Sequence, residues 1–348
     1  MQTEHILITD PQKQESDINR AADIIRSGGL VVFPTETVYG LGGDATNAEA
    51  SRRIYAAKGR PSDNPLIIHV ASPDDTPKYA VTDALYERLA DAFMPGPLTV
   101  IMSRRPVIPL STTGGLETVA VRCPSHPVAH ALIEAAGVPI AAPSANLSGK
   151  PSPTCAAHVA QDMDGRVDMI IDGGDSEIGL ESTIVKLDRD EEGEYLTLLR
   201  PGGITYDALC CVWSRVVVAP AVTELLSADV RPLSPGMKYK HYAPATPVVL
   251  LDGSPDDVLA YLRQRQQVEP CAILCYDEEI PFLRPERLLP VGARDDLATH
   301  AHTLFSRLRE SDSLHANVVY AHLPPRNGLG LALYNRMIRA AAHTVRKV

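Results

Sequence analysis

"KGRPSDNPLIIHV", Lys58 to Val70, puts two cations within three residues, then a proline, a small polar turn and an apolar run that ends in a histidine. The stretch before it, "EASRRIYAAK", reads as a helix, so Lys58 and Arg60 fall at a helix C-terminus, where cations compensate the helix dipole. "PLIIHV" reads as a buried strand, with His69 two steps from Ile67 and on the same face. Pro61 stiffens the exit from the helix, and Ser62, Asp63 and Asn64 add polar groups. An arginine fork with a lysine beside it also suits a phosphate or a carboxylate. A helix running through a polar turn into a buried strand is the unit of an α/β fold.

The same alternation extends in both directions. "SDINRAADIIRSGG" reads as a helix capped by Ser16, with Ile18, Ala21, Ala22 and Ile25 on one face and Gly28 as its stop. "LVVFP" follows as a strand. "PLTVIMS", "TVAVRCP", "PIAAPS", "DMIIDGG", "STIVKLD" and "YLTLLRPG" are further short strands, and they place a mixed α/β domain at residues 1–219. Residues 220–247 form a proline-rich linker around "RPLSPGMKYKHYAPATP". From Val248 the pattern restarts with "VVLLD", a helix in "DDVLAYLRQR", "CAILCYD", a helix that buries Leu297, Leu304, Phe305 and Leu308, "NVVYAHL" and a final helix from about Leu331. Residues 248–348 therefore read as a small Rossmann-like domain.

Bulk properties narrow the function. A chain of 348 residues suits two domains. Its net charge of −10 disfavours a general nucleic-acid binder. The sequence has no run long enough to span a membrane and no signal-peptide pattern at its start. The six cysteines form no CxxC pair and no zinc-ligand spacing, which fits reduced thiols in a cytoplasmic protein. No HExxH, GxSxG or P-loop occurs, so neither a protein-held metal nor a serine nucleophile is expected.

The polar residues gather at strand ends. "FPTETVYGLGGDA" sets Thr35 and Thr37 just past a strand. Its glycines read either as a tight turn or as a ligand loop, and the dinucleotide spacing fails at Ala45. "TVAVRCP" ends at Arg122. "APSANLSGKPSPT" supplies Ser144, Asn146 and Ser152, "LESTIV" supplies Ser182, and "LLRPGG" supplies Arg200. Hydroxyls, amides and cations at several strand ends point to an anionic ligand with many hydroxyl contacts.

Together "PTETVYGLG", "KGRPSDNPL", "SANLSGKPS", "STIV" and "LLRPG" resemble the YrdC-like domain. "SPGMKYKHYAP" and "NGLGLALYNRMIRAA" resemble the linker and tail of the long, two-domain threonylcarbamoyl-AMP synthases. The resemblance implies a twisted open sheet around a deep basic cavity, followed by a Rossmann-like C-terminal domain. It also implies a reaction in which L-threonine, bicarbonate and ATP give threonylcarbamoyl-adenylate and pyrophosphate. A tRNA threonylcarbamoyl-transfer complex would then take the product to an adenosine beside the anticodon, with no stable nucleic-acid binding required of this chain.

By the same resemblance Thr35, Thr37, Arg60, His69, Thr118 and Ser182 would hold threonine and carbamate. Lys58, Asn64, Arg122, Ser144, Asn146, Ser152 and Arg200 would hold ATP, with Lys58 and Arg60 closest to the chemistry. Mg2+ would arrive on the phosphates of ATP. Lys238, Tyr239, Lys240, His241 and Tyr242 would form a lid, or else a simple tether. Three other readings compete: a double-stranded RNA binder, an enzyme of a different carbamoyl adenylate, and a regulatory nucleotide module without turnover. Dependence of pyrophosphate release on threonine separates the last from the synthase.

Overall fold

The computed structural model describes residues 2–224 and 241–348. They divide into two compact units. One comprises residues 2–148, 153–177 and 181–224, and the other residues 149–152, 178–180 and 241–348. Two short stretches that lie within the span of the first unit in the sequence therefore belong with the second unit. Within that unit the Arg309 guanidinium donates to the Pro151 carbonyl at 2.6 Å.

The first unit runs β1 (Glu4–Leu7), α1 (Glu15–Arg26), β2 (Val31–Phe33), β3 (Gly40–Asp44), α2 (Ala48–Lys58) and β4 (Ile67–His69). It continues with α3 (Ala84–Phe93), β5 (Leu98–Ser103), β6 (Thr118–Arg122), α4 (Pro127–Ala136), β7 (Ile140–Ala141) and α5 (Ala156–Met163). Its last elements are β8 (Met169–Asp172), β9 (Thr183–Asp190), β10 (Gly193–Arg200), α6 (Tyr206–Val212) and β11 (Val216–Val218). The strands form one mixed sheet in the order β1-β8-β2-β3-β7-β4-β6-β5-β9-β10-β11.

The expected apolar face of α1 is the one that is buried, with Ile18, Ala21, Ala22 and Ile25 packed against α4 and the sheet. The cap differs from expectation. Gln14 is the N-cap and Ser16 lies inside the first turn, because the Gln14 amide folds back to the Leu7 carbonyl and ties the helix start to β1. Gly28 takes a positive φ of 82°, consistent with a helix stop.

The glycine stretch is also not a turn. "GLGGD" is strand β3, antiparallel to both β2 and β7. A Cβ on Gly42 would come within 2.7 Å of the Phe33 ring and 2.9 Å of Ile140, so glycine is needed for close side-by-side packing rather than for a left-handed backbone.

The second unit contains β12 (Val248–Asp252), α7 (Pro255–Val268), β13 (Cys271–Cys275), β14 (Leu288–Pro290), α8 (Leu297–Ser311), β15 (Val318–His322), α9 (Gly330–Ala340) and β16 (Val345–Lys347). Its sheet is parallel throughout, in the order β14-β13-β15-β12-β16. α7 packs Val258 and Leu262 against Cys271, Ile273 and Cys275 on one face. Leu304, Phe305 and Leu308 of α8 are buried as expected, whereas Leu297 is half-buried. Among the described residues no helix is long and apolar enough to cross a membrane.

Candidate functional site

Strand register assembles the site on one face of the first sheet. His69 and Arg122 end β4 and β6 and stand opposite each other in parallel register. Thr99 of β5 pairs with Arg122 from the other side, and Thr99 also pairs with Ile184 of β9. Arg200, the last residue of β10, pairs with Ile184. Side chains directly opposite in a ladder share a face, so His69, Arg122, Thr99 and Arg200 are brought together by pairing alone.

Hydrogen bonds join the side chains into two groups, which the Thr99–Arg122 backbone pairing sets side by side. The Thr35 and Thr37 hydroxyls are 2.9 Å apart, and Thr35 also donates to the Val38 carbonyl at 2.6 Å. Arg122 Nη1 donates to Thr37 Oγ1 at 2.9 Å. Ser182 Oγ lies 2.7 Å from Thr99 Oγ1, and Arg200 donates to both the hydroxyl and the carbonyl of Ser182, at 3.1 and 3.0 Å. Every one of these side chains is buried.

Sequence reading passed over two members. Glu36 is 4% exposed, and its Oε1 is 2.7 Å from Arg122 Nη2. The pair is close but not aligned as a hydrogen bond, and both carboxylate oxygens lack a hydrogen-bond partner. Thr99, fully buried inside the apolar run "PLTVIMS", is the second.

The cations behave as more than helix-end charges. Lys58 closes α2, and Gly59 follows as a left-handed C-cap with φ of 60°. Although it is the last helical residue, Lys58 is only 3% exposed. Its ammonium donates to the carbonyls of Ser144 and Asn146, and it lies 3.3 Å from Asn146 Oδ1. Arg60 is 8% exposed and donates to the carbonyls of Asn64 and Pro65, at 3.2 and 3.1 Å. The Tyr55 hydroxyl, whose pKa burial pushes up to about 12, donates to the Asn64 carbonyl at 2.9 Å and fixes the same turn. Asn64 Oδ1 is buried without a hydrogen-bond partner. Four cations, Lys58, Arg60, Arg122 and Arg200, are thus withdrawn from water among hydroxyls and carbonyls, a setting that favours an anionic ligand.

His69 is held neutral. Burial, then the nearby Arg122 charge, lowers its pKa to about 3, and Nδ1 lies 3.3 Å from the Ile140 carbonyl. It can offer a hydrogen bond here but not a positive charge.

The remaining expected residues fall in three places. Thr118 opens β6 on the Arg122 face, roughly 13 Å away along the strand at about 3.3 Å per residue. It is half-buried, and no hydrogen bond joins its hydroxyl to the cluster. Ser152 is buried and belongs to the second unit. Lys238, Tyr239 and Lys240 lie outside the described residues. His241 and Tyr242 belong to the second unit, where Tyr242 is 4% exposed and stacks on Phe305 at 5.4 Å, with the Arg336 guanidinium 5.5 Å from its ring. Tyr242 therefore has a packing role that the tether and lid readings both omit. Among the described residues no group of three or more His, Cys, Asp or Glu side chains is placed to hold a metal ion.

Comparison with known proteins places this geometry in a family. Residues 23–202 match the Sua5/YciO/YrdC family, described as "Telomere recombination", and residues 204–342 match the threonylcarbamoyl-AMP synthase C-terminal domain. The chain is 42% identical to the threonylcarbamoyl-AMP synthase of Bacillus subtilis, over 99% of this chain and 96% of that protein. It is also 42% identical to that of Pyrococcus abyssi, over 96% and 97% respectively. A crystal structure of P. abyssi Sua5 complexed with L-threonine is similar at a TM-score of 0.89 and 40% identity, covering all of both chains. With both domain families matched in order and this identity sustained along its length, the chain belongs to the threonylcarbamoyl-AMP synthases of the long, two-domain form.

Proposed function

We propose that this chain forms L-threonylcarbamoyl-adenylate and pyrophosphate from L-threonine, bicarbonate and ATP. The observation that carries the reading is the pair of buried groups Thr35–Thr37–Arg122 and Thr99–Ser182–Arg200, set side by side by the β5–β6 register, together with the buried cations Lys58 and Arg60. The threonine bound in the P. abyssi relative supports the amino-acid part of the assignment.

The reaction sets clear demands. The threonine nitrogen bonds to the carbon of CO2, losing a proton, or to that of bicarbonate with loss of water, giving a carbamate. A carbamate oxygen then bonds to the α-phosphorus as the bond to the β-phosphate bridge breaks and pyrophosphate leaves. Such a displacement depends on positioning and charge neutralisation more than on a covalent nucleophile. Lys58, Arg60, Arg122 and Arg200 supply positive charge for the phosphates and the carboxylate. Thr35, Thr37 and Ser182 supply hydroxyls, and neutral His69 supplies a hydrogen bond without adding charge. Mg2+ would ride on the ATP phosphates. The donor set of the cluster, with Glu36 as a carboxylate already facing Arg122, fits phosphate binding better than a protein cage for the ion. The adenylate would pass to a transfer reaction on a tRNA adenosine next to the anticodon.

Mass spectrometry of a reaction containing ATP, L-threonine and bicarbonate tests the proposal. The expected result is a threonylcarbamoyl-adenylate ion, with pyrophosphate release that depends on threonine. Pyrophosphate release independent of threonine, or binding of ATP without turnover, would overturn it in favour of a nucleotide-binding module.

A further inference from the structure

The second unit has a cavity that this reaction does not use. It encloses about 280 Å³, near the lower end of the roughly 300–1,000 Å³ typical of small-molecule pockets. Its position follows from topology. The connection leaving β13 leads to β14 on one side of the sheet, and the connection leaving the adjacent β15 leads through α9 to β16 on the other. Neighbouring strands whose connections depart in opposite directions open a crevice beyond their C-terminal ends, where open α/β sheets bind ligands. Tyr276 immediately follows β13 and His322 is the last residue of β15, and both line the cavity.

The floor is apolar and buried, built from Leu274, Val291, Leu304, Leu333 and Met337. One wall is made rigid by stacking and hydrogen bonds. Tyr276 stacks with His322 at 4.4 Å and with His300 at 5.2 Å. Glu279, 1% exposed, faces His322 Nε2 at 2.7 Å and accepts from the Tyr276 backbone N–H at 3.0 Å. His300 Nε2 is 2.8 Å from the Ala293 carbonyl. The rim carries Arg294 and Asp295, consecutive, exposed and of opposite charge. The Arg294 guanidinium lies 5.8 Å from the Tyr276 ring, so it is drawn towards the mouth of the cavity.

We propose that this crevice binds a zwitterionic α-amino acid with an apolar side chain. Arg294 suits the carboxylate, Asp295 suits the ammonium group, and the leucine, valine and methionine floor takes the side chain. A ligand carrying phosphate fits poorly, because Asp277 and Glu278 follow Tyr276 and add negative charge near the same strand end. The proposal rests on the second unit alone and stands or falls independently of the adenylate reaction.

Isothermal titration calorimetry on the full chain tests it with three probes: L-leucine, 4-methylpentanoate, which lacks the ammonium group, and 3-methylbutylamine, which lacks the carboxylate. L-leucine is expected to bind saturably in the millimolar range or tighter. Each analogue, and the Arg294→Ala variant towards leucine, should bind at least about tenfold more weakly, the scale of a lost charge-assisted contact. Arg60→Ala should leave leucine affinity unchanged. Absence of saturable leucine binding would overturn the proposal, as would equal affinity for leucine and 4-methylpentanoate. Binding that survives Arg294→Ala but is lost in Arg60→Ala would place leucine in the first unit and overturn it as well.

Discussion

Arg122 stands directly opposite His69 in the β4–β6 register, and its charge adds to burial in keeping the imidazole unprotonated. The folded pKa, about 3, lies below the unfolded value near 6.5. Between those values the unfolded chain binds a proton that the folded chain does not. Stability therefore falls as pH drops through that window, by up to about 1.4 kcal/mol per pH unit. Urea unfolding of the wild type and of His69→Gln, from about pH 6.5 to about pH 4.5, should show a shallower slope in the variant. His126, His300 and His343 are depressed by burial as well, so the difference between the two slopes, not either slope alone, reports on His69. Identical slopes would show that His69 gains its proton without cost.

Lys58→Ala and Arg60→Ala should each lower turnover by at least about tenfold, the effect expected when a charge-assisted contact is lost. Lys58→Ala should also cost about 1–3 kcal/mol of unliganded stability, because it leaves the carbonyls of Ser144 and Asn146 without this donor. Steady-state kinetics with ATP varied, normalised to the folded fraction, separates the two effects. Unchanged turnover in both variants would return these residues to the role of helix-end charges.

The Glu36–Arg122 pair can be weighed by a double-mutant cycle. Glu36→Gln leaves a buried guanidinium without its carboxylate and should destabilise by about 3–5 kcal/mol. Adding Arg122→Leu to Glu36→Gln should cost much less than the sum of the two single changes, since the uncompensated charge is gone. Additive losses in thermal unfolding would mean that the 2.7 Å approach carries no coupling.

Tyr242→Ala should loosen the second unit. Removing a buried aromatic ring that stacks on Phe305 costs about 3–5 kcal/mol. Hydrogen-exchange mass spectrometry should show faster exchange in peptides from α8 and α9, with peptides from β5 and β6 unchanged. Uniform protection in the variant would contradict the packing role.

Much of this architecture was legible because periodicity reports burial. The α1 face, the strands that end in His69, Arg122 and Arg200, and the helix ending at Lys58 all follow from where apolar residues recur. What escaped depended on partners distant in sequence. β3 looked like a turn because glycine usually signals one, and only the facing Phe33 and Ile140 show why a side chain is excluded. Glu36 sat between two threonines that seemed to explain the motif, and its significance appears only when Arg122, far along the chain, folds against it. Thr99 was hidden in "PLTVIMS", read only as a strand, since a buried hydroxyl and a buried methyl occupy similar positions in a strand pattern. β1, β11, β14 and β16 were missed because all four are sheet edges whose partly exposed residues break the continuous apolar run that revealed the equally short, fully buried β2 and β4.

The assignment of residues 149–152 and 178–180 to the second unit bears on how such a chain can be recombined. Two units that each occupied one continuous stretch could be exchanged between relatives by a single crossover in the linker. Here that crossover would bring a new second half without the stretches it packs with. The Pro151 carbonyl would then have to meet whatever replaces Arg309, and Gly179, whose added Cβ would fall 2.6 Å from the Ala301 carbonyl oxygen, would have to fit a different helix surface. The two halves are therefore constrained to change together, and a functional chimera needs matched donors for both loops as well as for the C-terminal sheet.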